Sequence, residues 1–254
     1  MNSAPLTFSD LWEFFPCNVD NRQYSIRFDT AVESLDKETK LHYPHILELL
    51  VYANEVNEQG LPTPIERDRM NNIEDNLICG DYDIRLIGVI TGGGCVRFIF
   101  CYNGEAEAEN ITQTLLGDNW YTVKHEYKVF LDNNFGYYYN TLAPNTYERN
   151  WIMNRHVCTN LEKDGELFQT SRKIDFFCYF VTEQHIQSVA EKLEQKGFSE
   201  VSRNKTEEGD YLLELTMEGI PTFAWINEIT ADILDVLEGT DGDFDGWGSP
   251  IHRS

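Results

Sequence analysis

From Lys173 to Leu237 the chain alternates β-rich runs with helix-period runs in a set order, and that order restricts the fold more than any other feature. Lys173 to Val181 is β-rich. Thr182 is expected to cap a helix in which Ile186, Val189, Ala190 and Leu193 recur at i, i+3, i+4 and i+7, with Gly197 ending it. Phe198 to Arg203 and Tyr211 to Met217 are β-rich again and can pair across a turn around Gly209. After Pro221 a second helix, over about 223–237, presents Ile226, Ile229, Ile233 and Leu237 before Gly239. The order is β-α-β-β-α.

Completed by a short closing strand, which the sequence does not mark clearly, that order is the ferredoxin-like split βαβ arrangement. The first half reads differently, as strands punctuated by two main helices. Leu11 to Cys17 and Gln23 to Val32 flank a Val-Asp-Asn-Arg turn, and Ile46 to Val56 is a near-continuous apolar run of buried-strand character. In GLPTPIERDRMNNIEDNLICG, Thr63 can cap a helix, Pro64 takes its first position and Glu66 completes a T-x-x-E capping box. Ile65, Met70, Ile73 and Leu77 form the stripe and Gly80 the stop. Tyr82 to Thr91 and Cys95 to Asn103 are strands joined by Gly92, Gly93 and Gly94. Because a β-rich run rather than a helix follows these glycines, a hairpin fits and a phosphate loop does not. A helix over Glu105 to Leu116 and a strand over Trp120 to Phe130 complete the half. Residues 131–171 hold the run Tyr137, Tyr138, Tyr139 and a helix with Tyr147, Trp151, Cys158 and Leu161 near one face; EKDGE, Glu162 to Glu166, interrupts it. The expectation is an α+β chain of two domains. Residues 1–145 form a mixed sheet with two main helices, 146–171 a helical or loop linker, and 172–254 a ferredoxin-like βαββα sandwich.

Charge bounds the function. With 43 acidic residues against 20 Lys plus Arg the formal net charge is −23. That opposes direct contact with a phosphate backbone, because nucleic-acid affinity comes largely from cations that displace counterions. The excess is spread along the chain: Arg172 to Ser254 holds 7 basic and 17 acidic residues, net −10, leaving 13 and 26, net −13, before it. No apolar run reaches the ~20 residues a membrane helix needs, and Met1 to Asp10 has no signal-peptide character, so a cytoplasmic protein is expected. Cys17, Cys79, Cys95, Cys101, Cys158 and Cys178 form no C-x-x-C pair and read as reduced, packed thiols.

The stretch DGDFDGWGSP, Asp241 to Pro250, begins like an EF-hand calcium loop, with Asp241, Asp243, Asp245 and Gly246. Its twelfth position is His252, where that loop needs a bidentate Glu, and no helix follows. Neither a metal nor any other cofactor is expected. The residues from Ile226 to Trp247 include seven acids, Glu228, Asp232, Asp235, Glu238, Asp241, Asp243 and Asp245, and no Lys or Arg. With Phe244 and Trp247 among them, they read as a surface for a basic protein partner, the rings supplying apolar contact and the carboxylates attraction. The candidate contact residues are Glu228, Asp232, Asp235, Asp241, Asp243, Phe244, Asp245 and Trp247. The plainer reading of the two aromatics is that Trp247 folds onto the sheet as core while Gly246 permits the turn. Catalytic templates are missing: there is no G-x-S-x-G and no H-E-x-x-H, and Pro44 separates His42 from His45. KGFSEV, Lys196 to Val201, departs from the RNA-binding RNP1 pattern at Ser199 and Glu200.

Residues from about Arg172 to Ile251 resemble the RraB family, the B-type regulators of ribonuclease E activity. The resemblance rests on IDFFCYF, KLEQKGF, the hairpin and above all GDFDGWGSP. There Asp245, Gly246 and Trp247 match the family's ending, while Asp243 replaces its Glu and Phe244 its Tyr. The resemblance implies a non-catalytic, acidic, ferredoxin-like protein that docks on ribonuclease E outside its catalytic part and restrains RNA decay. Residues from about Phe8 to Phe130 are similar to the "domain of unknown function 695" family, through GLPTPIE and GVITGGGCVRFIFCYN, which implies an α+β fold and no known activity. The expected function is that of a non-enzymatic regulator whose partner is a basic or disordered segment of an RNA-processing enzyme. The alternative is an enzyme with its site in the first domain or between the two.

Overall fold

A computed structural model describes residues 11–77, 83–104 and 107–252, with backbone only at 76 and 77. The expectations that fall on Phe8, the Leu77 side chain, Cys79, Gly80, Tyr82 and Glu105 lie outside the described residues. The chain divides into two units, Met1–Ala143 and Pro144–Ser254.

The first unit runs β1 (Trp12–Val19), β2 (Arg22–Asp29), α1 (Ala31–Ser34), α2 (Lys37–His42), β3 (His45–Tyr52), α3 (Pro64–Leu77), β4 (Ile84–Gly92), β5 (Cys95–Tyr102), α4 (Ala108–Leu116) and β6 (His125–Leu131). Its six strands form one sheet in the order β1-β2-β4-β5-β3-β6. Every neighbouring pair is antiparallel, so the expected mixed sheet is not what forms. For two of the five pairs, β1–β2 and β4–β5, the reason is local, because tight hairpins return the chain beside itself. Asp20 and Asn21 turn with φ 51° and 60°, and Gly93 and Gly94 with φ 61° and 82°, the positive values that two-residue hairpin turns require.

In β3, side chains alternate between faces. Leu47, Leu49 and Val51 meet Met70 and Ile73 of α3 and Ile111, Leu115 and Leu116 of α4 in one core. Between them Glu48 is buried too, accepting hydrogen bonds from Lys128 Nζ at 3.2 Å and the Tyr137 hydroxyl at 2.8 Å, an ionic site inside a run that reads as apolar. The opposite face of the sheet packs Phe15 and Phe28 against Tyr138, whose hydroxyl donates to the Asp29 carbonyl at 2.8 Å. The strand expected from Trp120 begins only at His125. Gly117–Tyr121 is a 3₁₀ turn that tucks Trp120 against the helix-side core. At the start of α3 the capping box is half made. Thr63 Oγ1 accepts the Glu66 N–H at 3.4 Å, but the Glu66 carboxylate takes the Asn54 N–H at 2.9 Å and the Arg69 guanidinium at 2.7 Å in place of Thr63.

The second unit runs α5 (Thr146–Lys163), β7 (Arg172–Phe180), α6 (Ile186–Gln195), β8 (Ser199–Lys205), β9 (Tyr211–Gly219), α7 (Phe223–Leu237) and β10 (Gly242–Gly248). The sheet order is β10-β7-β9-β8, antiparallel throughout, so β9 lies between the parallel strands β7 and β8. Ile174, Phe176, Cys178 and Phe180 point to one face of β7 and pack with Ile186, Val189 and Leu193 of α6 and Ile226, Ile233 and Leu237 of α7. Most of the segment expected as a linker is α5. Asn145 and Glu148 exchange side-chain and backbone hydrogen bonds in a complete capping box, and Val157, Cys158 and Leu161 join the unit's core.

Candidate functional site

The Asp-rich stretch that reads as a loop is the closing strand. Among the described residues β10 pairs with β7 alone and forms one edge of the sheet. Phe244 lies opposite Cys178, Gly246 opposite Phe177 and Trp247 opposite Phe176, so Asp245 is the extra residue of a bulge. Gly246 takes φ 138° there, a region that glycine alone occupies readily. The bulge sets Phe244 and Trp247 both on the inner face.

The eight candidate contact residues differ in their surroundings. Trp247 is 8% exposed and belongs to the core, and its indole N–H donates to Asn154 Oδ1 at 2.9 Å. What remains accessible of its ring lines the groove beside the strand. Phe244 is half-buried against the same core. Asp241 accepts from the Thr182 N–H and hydroxyl at 2.7 Å each and meets His185 Nδ1 at 2.7 Å. Those hydrogen bonds, that of His185 foremost, hold its carboxyl down at about 2. Asp241 therefore fastens the β7–α6 connection, and Thr182, expected as the helix cap, serves that junction while α6 starts after His185. Asp232 is ion-paired with Lys196, and Asp235 accepts from the Tyr147 hydroxyl at 2.6 Å. Glu228, Asp243 and Asp245 are exposed and, among the described residues, have no hydrogen-bond or ion-pair partner.

Beside β10 lies a groove of about 440 Å³. Arg149, Asn150 and Met153 of α5 form one wall, and Phe177, Asp243 and Phe244 line it from the sheet. Met153 is 55% exposed and gives that wall an apolar surface. Asn154, 1% exposed, supports the floor: its amide donates to Asn227 Oδ1 at 2.9 Å and Thr230 Oγ1 at 2.8 Å while its oxygen accepts from Trp247. Elsewhere in the unit Glu166 and Arg172 form a buried pair at 2.7 Å. Burial alone would raise the Glu166 carboxyl, but the backbone N–H groups of His252 and Phe168, with Arg172, hold it below the usual carboxylate range. Arg172 Nε also donates to Ser249 Oγ at 2.6 Å, which ties the end of β10 to the start of β7.

Sequence reasoning missed Asn154, Met153, Phe177 and the Glu166–Arg172 pair. The signal for Met153 was weak, since a single apolar residue off the Tyr147–Trp151–Cys158 stripe reads as an ordinary surface position.

The first unit has a smaller cleft of about 190 Å³ between α3 and the β1–β2 end of the sheet, floored by Met70, Val89, Val96 and Phe98. Its carboxylate, Glu74, is paired with Arg27. Among the described residues no three His, Cys, Asp or Glu side chains gather as a metal cluster. No described helix is long and apolar enough to cross a membrane.

The family model described as "Family of unknown function (DUF695)" matches residues 10–143, more than half of the chain. The chain belongs to the DUF695 family. A second model, "Regulator of ribonuclease activity B" (RraB), matches residues 151–249, which takes in most of α5 along with the sheet of the second unit. The DUF695 match thus covers the six-stranded unit and the RraB match the unit bearing the groove. No curated protein matches the chain. Among solved structures, an unknown protein from Galdieria sulphuraria shares 10% identity over 81% of this chain and 99% of its own, with a TM-score of 0.22. One described as "putative glycine cleavage system transcriptional repressor" shares 9% over 82% of this chain and 98% of its own, with a TM-score of 0.23. At such scores neither likeness bears on fold or function.

Proposed function

We propose that this protein is a non-enzymatic, cytoplasmic regulator that docks on a protein partner through its second unit, the partner being a basic or disordered segment of an RNA-processing enzyme of the ribonuclease kind. The observation that carries this reading is the RraB match over residues 151–249. The unit it covers also has the exposed carboxylates of Glu228, Asp243 and Asp245 and a groove that the last two line. The strand order β10-β7-β9-β8 supports the ferredoxin-like reading of this unit. An acidic surface on a chain of net charge −23 speeds encounter with basic segments and repels nucleic acid, so recognition runs through the enzyme's polypeptide.

The test is affinity capture from native lysate with the full chain as bait, at low and high salt, followed by mass spectrometry. A ribonuclease or an associated RNA-processing protein, recovered at low salt and lost at high salt, is the expected result. Recovery of the same partners by a full-length variant with Glu228, Asp243 and Asp245 replaced by Lys would count against the acidic surface as the docking site.

A further inference from the structure

We propose that β10 takes an extended, lysine- or arginine-bearing protein segment as a fifth strand of the second sheet, with apolar side chains of that segment seated in the groove beside Met153 and Phe244. This rests on the docking reading and specifies how the partner is held.

β10 bonds to β7 on one side only, and among the described residues no strand pairs with its far edge. An edge strand presents a row of backbone donors and acceptors ready for another chain, and recognition by strand addition uses that row. Three of its seven residues, Gly242, Gly246 and Gly248, have no side chain to keep a second backbone away, and a Cβ at Gly246 would meet nothing within 4 Å. The groove lies along this strand and supplies the apolar contact: Met153 stands largely exposed across from Phe177 and Phe244.

Charge selects the occupant. Asp243 and Asp245 project from the strand with no hydrogen-bond or ion-pair partner among the described residues, and Arg149 stands on the α5 wall of the same groove. A second copy of this chain paired edge to edge would bring these carboxylates near their own counterparts, and like charges facing each other across strands are destabilising. Self-association through β10 is also opposed by the net charge of −23. A strand that alternates basic and apolar residues meets both demands, because successive side chains point to opposite faces. The bulge at Asp245 limits how long a pairing can run, so the edge does not accept every β-prone chain.

The probe is a fluorescein-labelled ten-residue peptide alternating Lys and Val, titrated into the full-length protein at low salt. Two controls carry N-methyl groups on all Val or on all Lys backbone nitrogens, which leaves charge and side chains intact. On one edge of a strand the outward N–H groups belong to alternate residues, so one methylated peptide is expected to bind at least about tenfold more weakly than the other. Met153→Arg and the double variant Asp243→Lys, Asp245→Lys, all at exposed positions, are each expected to weaken the unmethylated peptide at least about tenfold as well. Equal affinity of all three peptides would overturn strand pairing while leaving charge-driven docking in place. No binding of the unmethylated peptide would also overturn it, whereas loss of the docking reading itself would show as failure of the lysate capture.

Discussion

At Asn154 three elements meet. Its amide group reaches Asn227 and Thr230 on α7 and the indole of Trp247 on β10, from a position on α5 with almost no contact with water. Removing one member of a satisfied buried network leaves the others without partners, at about 1–3 kcal/mol for each orphaned group. Asn154→Ala is therefore expected to lower the unfolding free energy by about 2–3 kcal/mol with little change in denaturant slope, measured by urea titration of tryptophan fluorescence. Glu166 acts at the same scale through pH. Its folded-state carboxyl is held below the ordinary value of 4.5, so the unfolded chain binds the proton more readily. The contribution is fully present above that ordinary value and is lost as the pH falls through the lower folded one. Glu166→Gln is expected to flatten the fall in stability between roughly pH 5 and 3 while lowering stability at neutral pH, as read from urea midpoints across that range.

At the scale of the element, β10 is strand, clamp and candidate docking edge at once. Its glycines differ in purpose. A Cβ on Gly242 would lie 2.5 Å from the Phe180 ring and 2.7 Å from Leu237, whereas Gly246 answers to backbone conformation alone. Gly242→Val is expected to cost about 1–3 kcal/mol through overpacking, and Asp243→Ser less than about 0.5 kcal/mol because that side chain is exposed and unpaired. Thermal melts of the two variants beside the parent protein distinguish them. Should Asp243→Ser prove the more damaging, the acids of β10 are structural and the surface argued for them has no basis. The π-helical turn Tyr138–Leu142 plays a comparable packing part in the first unit. Leu142 lies so close to Gly88 that a Cβ there would be 2.4 Å from it.

For the whole molecule, a net charge of −23 means that the folded state contains much unrelieved repulsion. Salt screens it within about 8–10 Å at moderate ionic strength. The midpoint of thermal unfolding is therefore expected to rise as KCl goes from about 10 to 200 mM, while affinity for any basic partner falls over the same range. Differential scanning calorimetry and a binding titration on one salt series test both trends together. A falling midpoint would mean that surface ion pairs such as Arg203–Glu200, 2.7 Å apart, outweigh the general repulsion.

What the sequence determined by itself was the information held in local periodicity and turn chemistry. The stripe Ile186, Val189, Ala190, Leu193 and the glycine hairpin at Gly93 and Gly94 were legible because a few adjacent residues are enough to define them. The family resemblances were legible for the same reason, as short contiguous motifs. Tertiary structure alone decided the rest. DGDFDGWG carries the marks of a loop, and it becomes a strand because β7 offers it an edge and the unit's core a place for Trp247. Glu48 looks like an interruption in an apolar run until Tyr137 and Lys128, remote in sequence, supply its hydrogen bonds. The eight residues read as one contact surface separate into core, clamp, ion pair and free acid for the same physical reason. A carboxylate's role depends on which donors lie within about 3 Å of it, and the fold brings those donors from distant parts of the chain.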